Sequence, residues 1–281
     1  MSDPVRARGT HVDVAFVLGG GGVLGASEVG MLQALDERGV RADLVLGTSI
    51  GAINGALHAA VPADAHRLAH LWRSMSGASV FAGSPAERLR HLAGLPTALH
   101  GNHALRRLLE THLGHRGFDD LAVPFECCAA SIERAAEHWF TDGSLVDAVL
   151  ASCAVPGLFP AVNIGGEHFL DGGLVNSIPI ARAIERGAST VYVLQVGRVE
   201  RPLQPPTRPW EVATVAFEIA RRHRFARDLA EAPDGVRVHV LPSGDPQTPL
   251  ASLRYRSTAG ASQRIEQARR ATSEYLDRVG T

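Results

Sequence analysis

The chain has 281 residues and a formal charge of only −1, long enough to bury a substantial core in one large α/β domain and without the basic excess that drives nucleic-acid binding. Its basic residues are all arginine, and the absence of lysine excludes Schiff-base chemistry and a P-loop lysine together. Cys127, Cys128 and Cys153 read as buried free thiols of a reducing compartment, the polar start before Val12 shows no secretory signal, and no apolar run reaches the ~20 residues of a bilayer span, so a cytoplasmic protein is expected.

Val12 to Leu18 is an apolar, β-branched run that ends in Gly19-Gly20-Gly21-Gly22-Val23-Leu24-Gly25, after which Ala26 to Arg38 has helical spacing and Gly39 caps it. Asp43 to Leu46 opens a second strand. Strand, helix and strand form a βαβ unit with a right-handed crossover, so the two loops at the strand ends share one crevice. The second loop is Gly47-Thr48-Ser49-Ile50-Gly51, which fits G-x-S-x-G, a serine on a strained strand-to-helix turn. Its flanking Gly47 and Gly51 are there because the turn leaves no room for side chains, and the small residues Ala52, Gly55 and Ala56 let the next helix pack closely.

Ala63 to Met75 predicts a helix whose His66 and His70, spaced i,i+4, lack the intervening glutamate of a zinc motif, which favours a solvated face over a metal site. Ser76 to Asn102 mixes Gly, Pro, His and Arg with leucines and reads either as a cap over the site or as a surface connection. Leu105 to Leu113 is helical, Phe125 to Ile132 a buried strand leading through a turn to His138-Trp139-Phe140, and Ser144 caps a helix from Leu145 to Cys153. Extended segments around Gly165-Gly166 deliver Asp171-Gly172-Gly173 at a strand end. Pro179 starts a helix to Arg186, Thr190 to Val196 is a buried parallel strand, and 201–209 is a proline-rich linker. A helix from Trp210 to Glu231, a strand from Val236 to Pro242 and a helix from Ser257 to Val279 end the order. The cluster Arg221-Arg222-His223-Arg224-Phe225 reads as a solvated helix face near a salt-bridged surface in preference to a contact with anionic lipid head groups.

Gly20-Gly21-Gly22-Val23-Leu24-Gly25 also fits the dinucleotide fingerprint. That reading needs an acid at the end of the second strand, where Ser49 stands instead, while Asp43 lies at the strand's beginning. Amides of consecutive glycines serve equally as an oxyanion hole, helped by the dipole of the helix behind them. Ser49 as nucleophile requires a base. In the usual serine, acid, histidine order only His223 and His239 follow Asp171, one in an arginine cluster and one inside a strand, so a direct pairing of Ser49 with Asp171 is favoured.

The chain resembles the patatin-like phospholipases, serine acyl hydrolases with a Ser-Asp dyad. The glycine loop Gly20 to Gly25, the elbow around Ser49, the Asp171-Gly172-Gly173 turn and the segment from Ala151 to Pro160 carry the resemblance, which spans about residues 12–197. It implies a three-layer α/β/α sandwich on a mainly parallel sheet, in a single domain of residues 1–281 with 76–102 as a cap and 198–281 unassigned. It implies Ser49 and Asp171 as catalytic residues, Gly20, Gly21 and Gly22 as the oxyanion hole, and Gly25, Gly47, Gly51, Gly172 and Gly173 as motif glycines. The substrate would be a lipid or other ester, met at the periphery of a membrane, with no metal and no organic cofactor. Leu24 stands where many members carry Arg or Lys, so a fixed cation beside the hole is missing. Burial is expected to raise the proton affinity of Asp171, since an exposed carboxylate of pKa ~3.9 is too weak a base. The rival readings are a non-catalytic interaction protein on the same fold and, further off, a dinucleotide-dependent oxidoreductase. Sequence sets neither the acyl chain length nor the oligomeric state.

Overall fold

The alternation of side chains along the strands explains the layers. In β1 (Val14–Leu18), Phe16 and Leu18 point into one apolar cluster and Ala15 and Val17 into a second on the other side of the sheet. Both faces are therefore covered, as a buried parallel sheet demands. The computed structural model describes residues 11–74, 98, 100–196, 202–207, 209–244 and 260–280.

The sheet runs β5-β6-β3-β2-β1-β7-β8, with β4 paired to β3. Its parallel part is β2 (Leu44–Thr48), β1, β7 (Thr190–Leu194), β8 (Arg237–Val240) and the first half of β3 (Phe125–Ser131). Its antiparallel part is β4 (Ala136–Phe140), β5 (Val162–Ile164) and β6 (Glu167–Asp171). On one face lie α1 (Ala26–Glu37), α2 (Ile50–Ala60), α3 (Ala65–Ser74), α4 (His103–Leu113), α5 (Leu145–Ser152) and α8 (Ala261–Val279). On the other, α6 (Ile180–Glu185) and α7 (Pro209–Ala230) pack through Ile180, Ala183 and Phe225. The result is a three-layer α/β/α sandwich on a mixed, mostly parallel sheet.

Most boundaries agree with sequence patterning to within a few residues. β7 stops at Leu194, two residues before Val196, because the chain turns there to meet the glycine loop, and β1 starts at Val14. The last helix begins at Ala261 behind Gly260. The suggested cap lies outside the described residues over 75–97 and at 99, and 202–207 carries no regular element. Among the described residues, no helix is long and apolar enough to cross a membrane.

The arginine cluster of α7 carries the expected salt bridges and exposes His223, but departs from expectation in burying Arg221 and Phe225. Arg221 is only 6% exposed and Phe225 is buried, while Arg222 and Arg224 pair with Glu218, Asp228 and Glu137. This face of the helix turns inward, because the carboxylates that neutralise it and the carbonyls it reaches lie in the protein.

Candidate active site

β3 brings the two ends of the site together. Thr48, the last residue of β2, sits opposite Cys128, and Asp171, the last residue of β6, sits opposite Ala129. Two adjacent positions of one strand thus deliver the serine turn and the aspartate to each other. Ser49 Oγ donates to Asp171 Oδ2 at 2.6 Å.

The serine turn is strained. Ser49 has φ 56 and ψ −123, a conformation that costs a non-glycine residue on the order of 1–3 kcal/mol and persists only where the surroundings impose it. Ser152 Oγ accepts the Ser49 amide at 2.9 Å, and the Cys153 thiol donates to the Ser49 carbonyl at 3.0 Å. Sterics supply the rest. A Cβ on Gly47 would lie 2.6 Å from Ala52 Cα, and one on Gly51 would lie 2.2 Å from the Leu18 carbonyl oxygen. Gly25 is similarly closed in by Ile50.

Asp171 is 2% exposed. Its Oδ1 accepts the Gly173 amide at 2.7 Å, and its own amide donates to Ala154 O at 2.9 Å. Burial pushes its carboxyl up to about 6, against the opposing pull of the Ser49 and Gly173 hydrogen bonds. A Cβ on Gly172 would lie 2.2 Å from the Cys128 carbonyl oxygen, so this turn must be glycine to lie against β3.

The glycine loop follows β1, the parallel neighbour of β2, and its Gly20 passes the nucleophile. A Cβ there would be 3.5 Å from Ser49 Cβ. Of the three glycines expected as oxyanion donors, one has a backbone acceptor. The Gly20 amide donates to Ser177 O at 2.9 Å, because the loop is tied to the chain after the Asp171 turn. Among the described residues, the amides of Gly21, Gly22 and Ile50 have no such acceptor. Ile50 opens α2 immediately after the serine, and the elbow motif itself signals that donor. Leu24 is buried, 7% exposed, and puts no charge beside the hole.

Polar groups lock the region from below. Thr48 Oγ1 donates to Asn176 O at 2.8 Å, joining the serine turn to the chain after Asp171. Asn54 Nδ2 donates to Gly25 O and to Glu28 Oε2 at 3.0 and 2.8 Å, and Trp72 Nε1 donates to Asn54 Oδ1 at 2.9 Å. Burial drives the Glu28 carboxyl well above the usual range, with the Asn54 bond and the charge of Arg221 opposing it. Glu28, Asn54 and Asn176 were not singled out by the sequence, since each becomes informative only once its neighbour is known.

The histidines of the rival constellations fall elsewhere. His223 is exposed on α7, and His239 lies in β8 against Tyr192 and Tyr275. His66 Nδ1 meets Gln33 Nε2 at 3.3 Å. Asp43 accepts the amides of Asp13 and Val14 at the opening end of the strands, away from the glycine loop. Among the described residues, no group of three His, Cys, Asp or Glu side chains is placed to hold a metal ion.

Sequence comparison gives this α/β sandwich a family. The profile of the Patatin-like phospholipase family matches residues 16–184. The chain belongs to that family. Among curated relatives, it is 29% identical over 197 residues to lysophospholipase NTE1 of Candida glabrata, covering 66% of this chain and 11% of that protein. It is 31% identical over 190 residues to lysophospholipase nte1 of Aspergillus terreus, covering 66% and 12%. The chain therefore spans about a tenth of the length of these relatives. Among solved structures it is similar to VipD from Legionella pneumophila, with TM-score 0.45 and 16% identity, covering 95% of this chain and 67% of that one. It is also similar to the type III effector ExoU, with TM-score 0.39 and 18% identity, covering 95% and 53%.

Proposed function

We propose that this chain is a serine acyl hydrolase that cleaves carboxylic esters of lipids, in the manner of a lysophospholipase or phospholipase A, with Ser49 as nucleophile and Asp171 as base. The observation that carries the reading is the 2.6 Å hydrogen bond from Ser49 Oγ to a carboxylate that is 2% exposed. A base with its proton affinity raised toward neutrality is matched to accepting a hydroxyl proton at working pH.

Asp171 takes the Ser49 proton as Oγ bonds to the ester carbonyl carbon. The negative charge that develops on the carbonyl oxygen meets the amides of Gly21, Gly22 and Ile50. Collapse of the tetrahedral species breaks the bond to the alcohol, which leaves with the proton held by Asp171. Water then attacks the acyl-serine, giving its proton to Asp171, and the fatty acid departs as that proton returns to Ser49 Oγ. Each proton taken by the aspartate is returned within the cycle, so no cofactor is called for. We further read the described elements as parts of one domain, and place it at the edge of a cytoplasmic membrane surface, since three buried thiols stand unpaired and the substrate is a lipid.

Labelling with a fluorophosphonate probe, followed by mass-spectrometric mapping, tests the reading. Wild type should be modified at Ser49. Ser49→Ala should lose all labelling, and Asp171→Asn should slow it by roughly 100-fold or more, as removal of a general base does. A folded wild type that takes no label overturns it.

A further inference from the structure

We infer that α7, which lies beyond the matched part of the family, is the clamp that holds the two loops of the active site in register, with Arg221 positioning the glycine loop and Phe217 sealing the aspartate turn. The inference rests on the hydrolase reading for its kinetic consequences, while its structural consequence stands without it.

Phe217, Arg221 and Arg224 are spaced i, i+4 and i+7, so they share one face of the helix. That face meets the site at three points. Arg221 Nη2 donates to Val196 O at 2.9 Å and to Gln195 Oε1 at 3.2 Å, just past the end of β7. The Val196 side chain fills the space beside Gly21, so closely that a Cβ on Gly21 would lie 1.8 Å from Val196 Cγ2. Where Arg221 holds Val196, Gly21 must follow.

The second point is the acid. The ring of Phe217 lies against Gly173, whose Cβ, if it had one, would be 2.6 Å from Phe217 Cζ and 2.9 Å from Asp171 Oδ1. The ring and the carboxylate therefore approach the same glycine from two sides. The third is Arg224, which donates to Val175 O at 3.2 Å and pairs with Glu137 at 3.4 Å. Glu137 in turn accepts from Asn176 Nδ2 at 3.1 Å, and Asn176 O accepts the Thr48 hydroxyl. A line of hydrogen bonds thus runs from α7 to the residue before the nucleophile.

Arg221 is 6% exposed, and its guanidinium reaches a backbone oxygen, an amide oxygen and the Glu218 carboxylate. A solvated surface arginine has no need of such burial. The planar fork spans Val196 O and Gln195 Oε1 through Nη2 and Glu218 Oε2 through Nη1 at 3.2 Å, a spread an ammonium cannot match in the same geometry. Arg221 thus acts on the glycine loop through Val196.

The test uses the full chain with p-nitrophenyl butyrate as substrate and hydrogen–deuterium exchange as a second readout. Arg221→Gln should lower kcat about 10- to 100-fold, a loss approaching that of an oxyanion donor, with KM within about twofold and the acid limb of the pH profile unmoved. Arg221→Lys should recover part of the rate. Phe217→Ala should move the acid limb to lower pH as water reaches Asp171. Exchange should quicken at Gly21–Gly25 in Arg221→Gln and at Gly172–Leu174 in Phe217→Ala, each without the other. Ile219→Ala, on the outer face of α7 at 56% exposure, should match wild type. Arg221→Gln within twofold of wild type, or both variants losing rate together with neither the acid limb nor local exchange separating them, overturns the clamp. Should Arg221→Gln fail to fold, an unmoved acid limb in Phe217→Ala overturns it alone. If wild type takes no fluorophosphonate label, the hydrolase reading falls, and the exchange pattern still decides whether α7 holds the loops.

Discussion

On the proposed mechanism, Asp171 carries the site's pH dependence. Its carboxyl is pushed up to about 6 by burial, and only the ionised form can accept the Ser49 proton. The rate must therefore fall on the acid side. kcat/KM for ester hydrolysis should be flat above neutrality and drop about tenfold per pH unit below an apparent pKa near 6. A limb near 4 in a stopped assay series would mean that the working base is solvated and is not Asp171. The candidate residues stood out in the sequence, because Ser49 lies between Gly47 and Gly51 and Asp171 is followed by Gly172 and Gly173. The partners were not. Ser152, which accepts the Ser49 amide, is an ordinary helix residue in sequence, and Gly20 looks identical to Gly21 until Ser177 claims its amide.

At the scale of elements, glycines separate two kinds of constraint. Gly30 sits inside α1 with an ordinary helical conformation, yet a Cβ there would lie 2.1 Å from the Ile265 carbonyl oxygen of α8. Backbone cannot yield as a side-chain tip can. Gly30→Ala should lower the unfolding free energy by roughly 1–3 kcal/mol or more through overpacking. Gly165→Ala, in the β5–β6 turn at φ 62 with open space around it, should lose only about 1 kcal/mol from left-handed strain. Paired thermal melts check the order, and equal losses would refute the tight α1–α8 contact. Sequence patterning located α1 from its apolar spacing, but the partner that forces its glycine comes from more than 200 residues further on, at α8. The same limit applies to α7. Its arginine run looked solvated because charge is usually exposed, and only the carbonyls of Val175 and Val196 reveal why it is not.

Across the whole molecule, buried titratable groups oppose one another. His58 is 2% exposed, stacked on Phe16, and burial lowers it to about 4. The unfolded chain takes up this proton near pH 6.5, so stability falls as pH drops from 6.5 toward 4, by about 3 kcal/mol in all. Asp171 acts in the opposite sense. Its raised pKa means that ionisation costs the folded state above about 6, and that this cost disappears as pH falls toward 3.8. Glu28, raised by burial, has the same sign. In wild type the terms offset between pH 4 and 6. Asp171→Asn keeps an acceptor for Gly173 and replaces the acceptor for Ser49 with an amide donor to Ser49 Oγ, but removes the titration. Its melting temperature should exceed that of wild type at pH 8 and fall more steeply toward pH 4, and adding His58→Gln should flatten that fall. Melting curves across this range check it, and parallel curves for wild type and Asp171→Asn would contradict the buried carboxylate.

Strand and helix order, the serine turn, the aspartate turn and the family were all determined by local sequence. Each depends on interactions within a few residues: period-two apolar alternation, helical spacing, and glycines where a side chain has no room. What the tertiary structure alone decided is which of the glycine amides remain free, what props the serine from beneath, and what lies against the outer side of both loops. Those outcomes depend on atoms far apart in the chain that meet across the sheet. A hydrogen bond from Arg221 to Val196 leaves no trace in the order of residues, since its energy exists only once β7 and α7 have been brought together.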